Sequence, residues 1–142
     1  MIVAIDFGIT NTDVAVSNKS QYKFFSIPSK NANESFIDEI ISLIDIDVTE
    51  ISQIVVTGGK SNELNESYNG VNLTKISETD AIGYGTKEIY KIENEPFITL
   101  SCCTGTAFIH HQDGQFSYIG LIAVWGGTIS GLSKAILDSS SL

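Results

Sequence analysis

Apolar and polar positions fall into short, separable patterns along the chain. Val3, Ala4 and Ile5 form an apolar run that ends at Asp6. After a Gly/Thr/Asn turn, residues 12–16 alternate, with Val14 and Val16 set against polar neighbours. Residues 22–27 form a third β-rich run, reached through Asn18, Lys19 and Ser20 and closed by Pro28. Three short strands with tight turns predict an antiparallel meander. Phe36, Ile37, Ile40, Ile41, Leu43 and Ile44 then recur at helical spacing, and Ser35 with Asp38 has the form of a capping box. Ile54, Val55 and Val56 read as a strand buried on both faces, stopping at Thr57-Gly58-Gly59. Residues 60–70 are polar and predict a loop or frayed helix; residues 71–76 are weakly strand-like. Residues 79–90 follow a helical pattern, with Gly83 and Gly85 marking close packing.

The remainder repeats the beginning. Phe97, Ile98, Thr99 and Leu100 run into the turn Cys102-Cys103-Thr104-Gly105-Thr106. Residues 107–111 predict a second strand, Asp113-Gly114 a hairpin turn, and residues 115–119 a third strand. A glycine-bearing loop over 120–127 leads into a helix with Ile129, Leu132 and Ile136 on one face. The order strand, turn, strand, turn, strand, helix therefore occurs twice. It predicts a first domain over residues 1–96 and the first half of a similar one over 97–142, three strands and a helix.

Composition narrows the function. There are 17 acidic residues against 8 basic ones, a formal charge of −9, and every basic residue is lysine. A net-acidic chain without arginine is a poor partner for a nucleic-acid backbone, whereas one nucleotide can still be held by glycine loops and Mg²⁺. No apolar run approaches the ~20 residues that span a bilayer, so no membrane is expected. The opening residues lack the basic start of a signal peptide. Adjacent Cys102 and Cys103 cannot staple a fold or close a zinc site, and they predict a buried turn in a reducing, cytoplasmic protein. His110 and His111 are neighbours in a strand and point to opposite faces, which does not suit a metal.

Four segments could carry chemistry. Asp6-Phe7-Gly8-Ile9-Thr10-Asn11-Thr12 places an acid at a strand end beside a tight turn. Such a carboxylate can face the water shell of Mg²⁺ while turn amides and hydroxyls face phosphate oxygens. The same residues would also make a plain hairpin whose Asp accepts bonds from its own turn. Thr104, Gly105 and Thr106 stand at the equivalent place in the second copy, so the two hairpins could clamp a triphosphate. Glu78 opens a helix, as a cap favoured by the helix dipole or as a general base. Gly126 and Gly127 stand at a helix start, where free amides attract anions.

Together these segments resemble the superfamily of acetate and sugar kinases, heat-shock ATPases and actin, and within it type II pantothenate kinases. The first hairpin resembles its phosphate-1 motif. Val55-Val56-Thr57-Gly58-Gly59 is similar to its strand ending in Thr-Gly-Gly. Ser77-Glu78-Thr79-Asp80-Ala81 resembles the catalytic-glutamate segment. Thr104-Gly105-Thr106 with Asp113-Gly114 resembles the phosphate-2 hairpin, and Gly120, Gly126, Gly127 with residues 128–132 the glycine-rich loop and helix. The resemblance implies an α/β fold with a ribonuclease H-like mixed sheet, a β-meander followed by βα units. It implies ATP-dependent phosphorylation of pantothenate, a step in coenzyme A biosynthesis. Glu78 is then the base and Asp6 holds Mg²⁺ through water. Gly8, Thr10, Asn11, Thr12, Thr104, Gly105, Thr106, Gly126 and Gly127 hold ATP.

The sequence departs from that pattern in four places. Asp13 stands where the family commonly has a lysine, Ser117-Tyr118 where an arginine precedes the glycine loop, Cys103 where phosphate-2 has a glycine, and Leu121 and Trp125 where the loop has glycines. These departures, with a second domain that stops midway, predict an inactive, truncated portion of such a kinase. The alternative is a non-catalytic, diverged or engineered half that oligomerises. Leu121, Ile122, Val124 and Trp125 beside a half-built sheet predict a homodimer.

Overall fold

Alternation along the first two strands decides which way each side chain points, and with it where the acid lies. In the computed structural model, which describes residues 1–18, 21–103, 105–122 and 126–137, β1 (Ile2–Phe7) buries Val3, Ile5 and Phe7 and turns Asp6 to the other face. Strand β2 (Asn11–Asn18) pairs with β1 antiparallel and buries Thr12, Val14 and Val16. Strand β3 (Gln21–Pro28) pairs antiparallel with β2, completing the meander. Lys19 and Ser20 lie outside the described residues.

Helix α1 (Glu34–Ile44) lays Phe36, Ile37, Ile40, Ile41 and Ile44 on the core face of the sheet. Full burial of each such side chain contributes roughly 1.5–3 kcal/mol, so this face fastens the helix to the meander. Leu43 is exposed. The cap is not the Ser35–Asp38 box. Asn33 Oδ1 accepts from the Phe36 amide at 2.9 Å, two residues earlier than expected. Asn33 is extended, as an N-cap must be, and its side chain reaches the third helical amide.

Strand β4 (Gln53–Thr57) is parallel to β1, and β6 (Val71–Lys75) is parallel to β4. The polar stretch between them forms a 3₁₀ turn at Ser61–Glu63 and a two-residue strand β5 (Ser67–Tyr68) antiparallel to β6. The sheet order is β3-β2-β1-β4-β6-β5. This is the expected mixed sheet, a meander followed by βα units. Because β1, β4 and β6 run the same way, their C-terminal ends, the β1–β2 turn and the end of β3 come to one edge of the sheet.

The chain separates into two compact units, Met1–Glu78 and Thr79–Leu142, so helix α2 (Glu78–Tyr90) packs almost wholly within the second. Strands β7 (Phe97–Cys102), β8 (Thr106–Gln112) and β9 (Gln115–Ile122) form that unit's antiparallel sheet in the order β7-β8-β9, followed by α3 (Gly126–Leu137). Strand β9 takes in Gly120, Leu121 and Ile122, which the sequence pattern assigns to a loop; their pairing with β8 extends the ladder past the bulge at Phe108 and Ile109. Cys102 and Cys103 are free and exposed, not buried. His110 and His111 do point to opposite faces. His111 is buried, stacked on Phe97 at 4.7 Å, with Nδ1 3.2 Å from the Glu95 carbonyl oxygen. No helix among the described residues is long and apolar enough to cross a membrane.

The two glycines of α2 differ in role. A Cβ on Gly83 would lie 2.3–2.6 Å from the Phe116 ring, which Tyr84 meets edge-on at 4.8 Å. A Cβ on Gly85 would meet nothing within 4 Å, so close packing there is not required. Gly83→Ala is therefore expected to destabilise the protein by about 1–3 kcal/mol through overpacking. Gly85→Ala should stabilise by up to about 1 kcal/mol through helix propensity alone. Urea midpoints that move in the same direction for both variants would contradict this assignment.

Candidate functional site

The first unit gathers its polar groups where β1, β4 and β6 end. Gly8, Ile9 and Thr10 form the β1–β2 turn. A Cβ on Gly8 would lie 2.5 Å from the Asn11 carbonyl oxygen, so only glycine closes this turn as tightly. Ser29 pins the turn from the end of β3. Its amide donates to the Thr10 carbonyl oxygen at 3.0 Å and its hydroxyl to that of Gly8 at 2.6 Å. The same hydroxyl accepts from Thr12 Oγ1 at 3.3 Å and from Lys60 Nζ at 3.1 Å. One donated and two accepted bonds saturate a serine hydroxyl. Thr12 is thus fully buried with its hydroxyl committed to Ser29, while Thr10 and Asn11 are exposed on the turn.

Asp6 is registered beside Asp13 on one side and Thr57 on the other. The next residue, Gly58, has φ +88°, and a Cβ there would lie 2.7 Å from Asp6 Oδ1 and 2.5 Å from the Phe7 carbonyl oxygen. Gly58 therefore lets the β4 turn close against the acid. Glu78, at the first position of α2, is exposed and contributes to the field at Asp6. Partial desolvation, then the charges of Glu78 and Asp13, raise the Asp6 carboxyl above its ordinary 3.8. The three acids thus form one negative field.

A carboxyl whose folded pKa lies above its unfolded value contributes stability below the unfolded value, and that stability is lost as pH rises through the folded one. At neutral pH the ionised Asp6 is therefore a cost. Asp6→Asn should raise Tm at pH 7, and the gain should vanish below pH 3.8, where the wild-type carboxyl is protonated in both states. A lower Tm for the variant at pH 7 would show that the charge is compensated.

Among the described residues, no group of three His, Cys, Asp or Glu side chains could hold a metal ion directly. A lone strand-end carboxylate in a negative field, beside a turn and a glycine that leave no space for side-chain atoms, fits a hydrated Mg²⁺ and a phosphate. Thr57 Oγ1 is buried there with no partner among the described residues.

In the second unit, the Cys103 amide donates to the Gly105 carbonyl oxygen at 2.8 Å, tightening the turn between β7 and β8. Thr106 is buried at the start of β8, and its Oγ1 has no partner among the described residues. A Cβ on Gly126 would lie 3.1 Å from the Cys103 carbonyl oxygen, which brings the start of α3 to that turn. Gly127 is exposed. Thr104, Val124 and Trp125 lie outside the described residues. Sequence reasoning missed Ser29 and Lys60. Nothing in either residue's neighbourhood along the chain marks it, because each reaches the hairpin only through the sheet.

No family model matches the chain. It is 31% identical over 142 residues to a type II pantothenate kinase of Bacillus anthracis, covering 96% of this chain and 49% of that protein. It is 33% identical over 140 residues to a type II pantothenate kinase of Bacillus cereus, covering 96% of this chain and 50% of that one. The chain spans about half the length of these curated relatives. Among solved structures, the activator of the 2-hydroxyisocaproyl-CoA dehydratase from Clostridium difficile, with bound ADPNP, matches with a TM-score of 0.65 at 16% identity, over 97% of this chain and 52% of that one. A ROK family glucokinase from Streptomyces griseus, in complex with glucose and AMPPNP, matches with a TM-score of 0.59 at 10% identity, over 87% and 48%. These likenesses show the fold alone, a mixed α/β sheet of ribonuclease H-like form.

Proposed function

We propose that this chain, similar to type II pantothenate kinases over nearly its whole length, carries the acid–base and phosphate-turn part of a site for ATP-dependent phosphorylation of pantothenate. The observation that carries the reading is the closure of the β4 turn onto Asp6, with the Glu78 charge acting on the same carboxyl. Bound ATP and its hydrated Mg²⁺ would supply the transferable phosphoryl group. Asp6 would hold that metal through its water shell. Gly8, Thr10 and Asn11 present the turn to phosphate oxygens, while Thr12 holds the turn's shape from below. In the second unit Thr104, Gly105, Thr106, Gly126 and Gly127 are assigned the same kind of contact. Glu78 accepts the proton of the substrate hydroxyl at a carboxylate oxygen, which requires that hydroxyl to bind within hydrogen-bond reach of it.

Exposed Leu121, Ile122, Ile129, Leu132 and Ile136 in the second unit support self-association as a homodimer. A cytoplasmic location belongs to the same reading. Asp13 in place of a lysine favours a second reading, a nucleotide-binding module without turnover. An assay coupled to ADP formation, run with pantothenate and a panel of other hydroxylated acceptors, separates the two. Pantothenate-dependent ADP release supports the kinase. ATP binding without release by any acceptor supports the module, and release with a sugar but not with pantothenate overturns the substrate.

A further inference from the structure

Resting on the kinase reading, we propose that Lys60 is the anion anchor of the acceptor substrate. The polar cleft beside the first hairpin would then receive a small hydroxylated carboxylate by its acid group. Lys60 is half-buried, and among the described residues it has no carboxylate within ion-pair distance; the ion pairs there are Lys30–Glu39 and Lys91–Glu88. Among the described residues its one hydrogen bond goes to Ser29 Oγ, whose remaining capacity is already used by Gly8 and Thr12. An ammonium has three donors, so two remain for a ligand, on a side chain whose direction is fixed.

That side chain lines a cleft of about 600 Å³ together with Asn31, Asn33, Asn62 and Glu63. The volume lies in the range of small-molecule sites, about 300–1,000 Å³. Asn33 Oδ1 caps α1, which leaves its amide NH₂ as a donor. The side chains of Asn31 and Asn62 have no partner among the described residues and offer more amide donors to carboxylate oxygens. Glu63 is the acid of this lining, and among the described residues it makes no ion pair with Lys60. A carboxylate pairs with the Lys60 ammonium as an ion, which its neutral amide cannot do.

The test compares acid and amide. Binding of pantothenate and of pantothenamide to the full chain is measured calorimetrically for the wild type, Lys60→Met, Lys60→Arg and Asn62→Ala, with ATP titrated separately. Lys60→Met should weaken pantothenate binding by about tenfold or more, the loss of one charged hydrogen bond. Pantothenamide and ATP affinities should be unchanged, Lys60→Arg should restore the acid preference, and Asn62→Ala should weaken both ligands. A loss of ATP affinity in Lys60→Met, with acid and amide unaffected, would instead make Lys60 a nucleotide-phosphate ligand and overturn the proposal. Equal loss of acid and amide, or a wild type without acid preference, also overturns it. Acid-selective binding that depends on Lys60, without pantothenate-dependent ADP release, keeps the site and removes the kinase reading. ADP release with an unchanged acid preference in Lys60→Met does the reverse.

Discussion

On the proposed kinase reading, Glu78→Gln is expected to lower kcat for any pantothenate-dependent phosphoryl transfer by about 10²–10⁴, the usual worth of a general base. Glutamine keeps the size and the hydrogen bonds of glutamate and cannot take a proton. Because Glu78 is exposed and stands at the first position of α2, the loss of its favourable term with the helix dipole should be only about 0.3–1 kcal/mol. The two roles therefore separate: a base shows itself in kcat, a cap only in stability. A second readout comes from Asp6, whose carboxyl is raised in part by the Glu78 charge. Removing that charge should move the Asp6 titration down toward its ordinary value, visible by NMR of the carboxyl carbon. Unchanged turnover with a small fall in Tm would leave Glu78 as a helix cap.

Gly58→Ala should be the most disruptive single-methyl change in the first unit, at about 2–4 kcal/mol. Part of that is the left-handed φ of +88°, which an L side chain tolerates at a cost of roughly 1–3 kcal/mol. The rest is steric. The added Cβ would stand 2.5 Å from the Phe7 carbonyl oxygen and 2.7 Å from Asp6 Oδ1, and Phe7 is fixed by the β1–β2 ladder, where it pairs with Thr12, and by burial against Phe36. Relief requires either the β4 turn or Asp6 to move, so any nucleotide-dependent turnover should be lost as well. Gly59→Ala is the control, since its Cβ meets nothing within 4 Å. Equal urea midpoints for the two variants would show that the β4 turn does not close on Asp6 as described.

The elements that alternate or repeat cleanly were legible in the residues. Val3, Ile5 and Phe7, Val14 and Val16, and the Ile37–Ile40–Ile41–Ile44 stripe each commit one face to the core. Period alone then decides strand or helix. The doubling of the strand–turn–strand pattern marked the two hairpins, and the acid at the end of β1 was a candidate before any pairing was known. Local pattern failed where two local solutions competed or where the deciding neighbour was distant in the chain. The Ser35–Asp38 spacing matches a capping box, yet Asn33 wins because the helix begins two residues earlier. Gly83 and Gly85 look alike in sequence, and only Phe116, brought over by β9, separates them. The exposure of Cys102 and Cys103 and the extension of β9 through Ile122 likewise depend on partners across the second sheet. Gly58 is a turn glycine by sequence; that it closes on Asp6 follows from the parallel register of β1 and β4. Lys60 and Ser29 are 31 residues apart, and each reads as a surface polar residue on its own. A saturated hydroxyl and an ammonium with donors to spare exist only once β3 and β4 end at the same edge of one sheet, because hydrogen-bond capacity is counted in space and not along the chain.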